Sequence, residues 1–167
     1  MGYQEHRHSA LKSVHCAVII VSDSRTEQDD ESGKLIKQRL ADNGHHVLSY
    51  GILKNDTEAI RAKIEELVGQ EGLQVIITSG GTGASHRDVT VDTIEPMLEK
   101  RLEGFGELFR YLSYQEIGTG SILSRAVAGI IKGKVILCFP GSLNAATLAM
   151  DKIVLPEIGH LVREATR

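Results

Sequence analysis

Residues 75–90 read VIITSGGTGASHRDVT, and the meaning given to this stretch decides the fold. An apolar run rich in β-branched residues ends at Thr78-Ser79, glycines follow at 80, 81 and 83, and Arg87-Asp88 come next. Such a run is too short for a helix and reads as a strand buried on both faces. Its glycine exit has two readings. It is either a tight strand-to-helix connection or a phosphate seat, in which glycines at positive φ turn successive N–H groups toward one centre. It is neither a Walker loop, since no Gly-Lys-Ser/Thr follows, nor a G-x-G-x-x-G fingerprint.

Working outward, residues 15–22, 45–53, 73–79 and 134–140 each predict a short apolar strand. Between the first two, Leu35, Ile36 and Leu40 share a helical face, and Gly44 follows where a left-handed C-cap belongs. After the second, Ile60, Ile64, Leu67 and Val68 recur at helical spacing. Strands alternating with helices imply an α/β fold: a mostly parallel sheet with helices on both faces. Pro96 is expected to kink or delay the helix after Asp92. Phe105, Leu108, Phe109 and Leu112 predict an apolar helical stripe, 121–133 predicts another helix, and the region from 142 onward predicts helix broken at Pro156. Residues 1–13 are expected to be an N-terminal extension and 14–167 a single domain.

The composition, 41% hydrophobic and 25% charged over 167 residues, is that of a globular protein. Lys+Arg 19 against Asp+Glu 22 gives a net charge of −3 without blocks of one sign, so no nucleic-acid footprint is present. No apolar run approaches the ~20 residues of a membrane span, and no secretory signal opens the chain, so a cytoplasmic location is expected. Cys16 and Cys138 sit inside apolar runs, as free packed thiols do. His6, His8, His45, His46, His86 and His160 show no zinc-ligand spacing and are expected at the surface.

In open parallel sheets, ligands bind beyond the carboxyl ends of the strands. The polar segments fall there: SDSR (22–25), KND (54–56), TSGGTG (78–83) and PGS (140–142). Carboxylates beside a phosphate seat would repel the ligand unless a divalent cation intervenes, and Mg²⁺ held by one or two carboxylates plus substrate phosphates is the usual solution. Asp56 and Asp88 are the candidates, although Asp56 equally suits an N-cap before Thr57. Arg87 and Arg125 are candidate phosphate clamps. Asp23 either accepts from a ribose, amide or pterin N–H or caps its own loop. No nucleophile elbow or Ser/His/Asp pattern is present.

Taken together, VSDSR, TSGGTGxxxRDVT, GFGELFR, LSRAVAG and PGS resemble the MoaB/Mog family of molybdenum-cofactor biosynthesis proteins, which is also similar to gephyrin-type G domains. The resemblance spans residues 14–162 and is closest to the MoaB branch. It implies a three-layer molybdopterin-binding fold, a homotrimer or dimer of trimers, and other molybdenum-cofactor proteins as partners. It further implies adenylyl transfer from ATP, with Mg²⁺, to molybdopterin as substrate, giving adenylyl-molybdopterin and pyrophosphate. Carried over by motif, Asp56 and Asp88 are the catalytic and Mg²⁺-associated acids. Ser79, Gly80, Gly81, Thr82 and Gly83, with Pro140, Gly141 and Ser142, hold phosphate and ligand, while Asp23, Glu107, Ser124 and Arg125 line the pocket. Ala84-Ser85-His86 and Leu143 stand where family members often carry proline. This difference raises the alternative of a molybdopterin carrier or assembly protein without turnover.

Overall fold

A computed structural model describes residues 10–167. His6, His8 and most of the expected extension lie outside that range. Six strands form one sheet in the order β2-β1-β3-β6-β5-β4. They are β1 (His15–Val21), β2 (His46–Leu53), β3 (Val75–Ser79), β4 (Lys100–Arg101), β5 (Val127–Ile131) and β6 (Lys134–Phe139). β1, β2, β3 and β6 run parallel, whereas β5 and β4 are antiparallel additions at one edge. The helices are α1 (Glu31–Asp42), α2 (Thr57–Gly69), α3 (Thr90–Ile94), α4 (Glu103–Ile117), α5 (Leu143–Ala149) and α6 (Leu155–Ala165).

The strand period of two builds the three layers. Cys16, Val18 and Ile20 point to one core, with Ile36 and Leu40 of α1, Phe105 and Phe109 of α4, and Ile158 and Val162 of α6. Ala17, Ile19 and Val21 point to the other, with Ile60, Ile64 and Leu67 of α2 and Ile94 of α3. Each such fully buried Leu, Ile or Phe contributes roughly 1.5–3 kcal/mol of transfer free energy, which offsets the cost of ordering the chain.

The four predicted strands are present, but the helix expected over 121–133 is not. Residues 118–123 form a 3₁₀ turn, and 127–131 form β5. The decisive feature is Lys132-Gly133, a two-residue connection with φ of 46° and 76°. Both central residues at positive φ give the hairpin geometry that matches strand twist. Pairing with β6, Ile131 opposite Lys134, then overrides the helical spacing of the local sequence. Nor does the C-terminal helical region break at Pro156. A π-helical turn, Met150–Val154, bridges α5 to α6, and Pro156 sits in the first turn of α6, where a missing N–H costs little. Pro96 falls in a 3₁₀ turn that follows the short α3.

Candidate functional site

The exits of β1, β2, β3 and β6 open on one edge of the sheet and enclose a cavity of about 440 Å³. Its wall includes Asp23 and Arg25 after β1, Asn55 after β2, Gly80–Gly83 and Asp88 after β3, and Pro140-Gly141 after β6, with Leu123-Ser124 at the rim. The volume falls in the ~300–1,000 Å³ range of small-ligand sites. A larger but shallow concavity of about 800 Å³ lies between α1 and the start of β2, away from these loops.

Two of the three glycines carry the expected conformation: Gly80 at φ +104° and Gly81 at φ +64°. A Cβ at Gly80 would lie 2.2 Å from the Val21 carbonyl oxygen, and one at Gly81 2.3 Å from Thr90 Oγ1 and 2.4 Å from Asn55 Oδ1. Gly83 has no positive φ. It is small because a Cβ there would meet the Asp88 carboxylate at 2.6 Å. The N–H groups of Gly81, Thr82 and Gly83 make no hydrogen bond to other described residues. Three adjacent donors without partners form the concave set that an anion can fill.

The acids divide by what they already hold. Asp88 Oδ2 accepts from Ser85 Oγ at 2.7 Å and Ser85 N at 3.2 Å, leaving Oδ1 without a partner. Asp23 Oδ1 accepts from the Asn55 N–H at 3.0 Å, tying the β1 and β2 exits together. That bond, chiefly, holds the Asp23 carboxyl below the usual carboxylate range, with Arg87 adding a smaller effect. Asp56 is exposed and does not line the cavity. It caps α2, its Oδ1 accepting from Ala59 N at 2.8 Å, and Asn55 beside it reaches the wall instead.

Other expected residues stand behind or beside the cavity. Ser79 is buried beneath the loop and donates to the Pro140 carbonyl at 3.2 Å, while Ser142 caps α5. Arg87 is exposed, with a guanidinium nitrogen 3.7 Å from Asp23. Glu107 is exposed on α4, off the cavity wall. Arg125 is no free clamp, because its guanidinium donates to Asp92 at 2.6 and 3.1 Å and to the Gly83 carbonyl at 3.3 Å. That pairing lowers the Asp92 pKa.

Sequence reasoning assigned no role to Arg25, Asn55 or Thr90, although all three lie inside quoted motifs. Arg25 donates to the Gly141 carbonyl at 2.9 Å and so fastens the β6 exit to the β1 exit. Asn55 Oδ1 and Thr90 Oγ1 are buried and have no hydrogen-bond partner. Among the described residues, no group of three or more His, Cys, Asp or Glu could hold a metal by itself. His45 corrects the surface expectation: it is buried, and its Nδ1 accepts from Val14 N at 3.3 Å. Cys16 and Cys138 are free and buried, which pushes both thiols up to about 12.

A doubly covered, mostly parallel sheet with a cavity, a glycine loop of unpartnered N–H groups and unsatisfied oxygens at its strand exits has the form of an α/β small-ligand-binding domain. Comparison with known proteins narrows the class. The model of the family "Probable molybdopterin binding domain" matches residues 17–160. The molybdenum cofactor biosynthesis protein B of Bacillus cereus is 44% identical over 168 residues, covering 100% of this chain and 99% of its own. A crystal structure of a molybdenum cofactor biosynthesis protein B superposes with a TM-score of 0.90 at 45% identity, covering 92% of this chain and 96% of that one. The tungsten cofactor synthesizing protein MoaB from Pyrococcus furiosus follows at a TM-score of 0.84 and 36% identity, with 95% and 100% covered. The chain belongs to this molybdopterin-binding domain family of molybdenum cofactor biosynthesis proteins.

Proposed function

We propose that the chain adenylylates molybdopterin, using ATP and Mg²⁺ and releasing pyrophosphate. The observation that carries this reading is the juxtaposition of three unpartnered N–H donors at Gly81–Gly83 with the open Asp88 Oδ1 in one cavity of about 440 Å³. A phosphate monoester with a second pKa near 6 is largely dianionic at neutral pH and needs no general base to attack. The work is to bring two anions together, so N–H donors and fixed positioning supply the rate. Gly81, Thr82 and Gly83 would seat phosphate oxygens, Asp23 would accept from a pterin or ribose donor, and Arg25 would hold the Gly141 loop against them. Mg²⁺ fits as a shared ion rather than a caged one: Asp88 and the orphaned Asn55 Oδ1 are the cavity oxygens that would hold it, while Asp56, off the wall, caps α2. When bound, it neutralises phosphate charge.

Incubating the protein with molybdopterin, Mg²⁺ and ATP should release pyrophosphate and yield an adenylylated pterin. Asp88→Asn should lower that rate on the order of a hundredfold, while molybdopterin binding stays within a few-fold. Binding without any ATP consumption by the unaltered protein would instead establish the carrier reading. A cytoplasmic homotrimer or dimer of trimers belongs to the same proposal. It is supported by the number of large apolar side chains exposed on and just beyond α4: Leu108, Tyr111, Tyr114, Ile117, Ile122 and Leu123.

A further inference from the structure

We propose that a second cleft, between α3, β5 and the start of α4, binds a small oxyanion of the phosphate or pyrophosphate type on the guanidinium of Arg110. The cleft holds about 200 Å³ and carries Arg101, Arg110 and Arg125 with Glu95 and Glu103. Two of the arginines already have carboxylates: Arg101 pairs with Glu95, and Arg125 with Asp92. Arg110 has none. It is half-buried, with no carboxylate within 4.0 Å and no hydrogen bond among the described residues. Glu103 stands exposed at the mouth and makes no ion pair with it.

A half-buried guanidinium with no counter-charge keeps its fork of donors free, and an anion that accepts from that fork gains charge-assisted hydrogen bonds. The sequence makes room for this arrangement at Gly106. A Cβ there would lie 2.5 Å from the Ala126 carbonyl oxygen, which alone requires glycine where α4 meets β5, and 2.9 and 3.1 Å from the two terminal nitrogens of Arg110, which therefore lie against the same turn of α4. Size selects the ligand. The cleft of about 200 Å³ is below the ~300 Å³ at which sites for drug-sized molecules begin, so it suits one or two phosphate groups and not a nucleoside or pterin. Arg125 forms the wall between this cleft and the glycine loop, since it also donates to the Gly83 carbonyl at 3.3 Å. The inference is independent of adenylyl transfer, because none of its residues lies in the glycine loop.

Calorimetric titration of the full chain with sodium phosphate and with sodium pyrophosphate, at constant ionic strength, tests it. The glycine loop and the Arg110 cleft should give two classes of site. Arg110→Gln should weaken one class roughly tenfold or more, the loss expected of a charge-assisted fork, while thermal unfolding shifts little. Arg110→Lys, which keeps the charge, should restore part of that binding. A single class that disappears in Arg110→Gln supports the cleft and removes the glycine loop as a phosphate seat. Binding unchanged in Arg110→Gln, no binding of either anion by the unaltered chain, or an equal loss in Arg61→Gln on the exposed face of α2 would each overturn the proposal.

Discussion

Asp56 and Asp88 differ in what their carboxylates already do, and the difference can be tested residue by residue. Asp88 is steered toward the cavity by Ser85, and Gly83 gives it room. Asp56 instead closes the first turn of α2 through Ala59 N. Removing that cap in Asp56→Ala should cost about 1 kcal/mol of unfolding free energy. Asp56→Asn keeps an acceptor at the same place and should melt close to the unaltered protein. If the carboxylate also serves the proposed transfer, the Asn variant loses rate at unchanged stability; full activity in Asp56→Asn would reduce the residue to a cap. The motif spacing located both acids. It could not say which carboxylate the helix terminus would claim, because that depends on whether the first-turn N–H groups find another acceptor.

At the scale of the element, β2 ties a buried imidazole to stability. His45, immediately before the strand, is 8% exposed, and its Nδ1 accepts the Val14 N–H. Burial, and to a smaller degree the neighbouring His46, lowers its pKa below the ordinary 6.5. Lys34 and Lys37 of α1 line the same concavity, and no carboxylate there would favour the imidazolium. As pH falls below 6.5, the unfolded chain therefore takes up a proton that the folded one refuses, and stability declines until the folded value is passed. Urea unfolding at pH 7.5 and pH 5.5 should show this loss, and His45→Gln should reduce it. A variant with the same pH slope would assign the effect to other groups. Element scale is also where local pattern misleads. Residues 121–133 carry helical spacing, yet the Lys132-Gly133 turn and the open edge of β6 make a strand the better partner. The signal was present in that short turn but is decisive only once β6 lies opposite.

For the whole molecule, the proposed homotrimer makes a testable demand on the exposed apolar residues of α4. Leu108, Tyr111, Tyr114 and Ile117 of α4 are exposed by 42% to 61%, and Ile122 and Leu123 beyond it are exposed as well, Leu123 at the rim of the candidate cavity. Charge on this surface should break self-association. Tyr114→Glu with Ile117→Glu is expected to shift the sedimentation coefficient toward that of a monomer without unfolding the chain, because neither side chain belongs to the core. An unaltered sedimentation coefficient would place the contact elsewhere. No helix among the described residues is long and apolar enough to cross a membrane.

The sequence by itself determined the four parallel strands, the two-sided helical cover and the edge on which the polar loops gather. Hydrophobic period and glycine placement are local properties, and a parallel sheet sends every strand exit the same way. Only the tertiary structure decided which side chains share the cavity. Arg25 reaches Gly141 across 116 positions, Asp23 reaches Asn55 across 32, and Arg125 is taken by Asp92 across 33. Such pairings are set by how the sheet brings distant loops together, and no spacing along the chain encodes them.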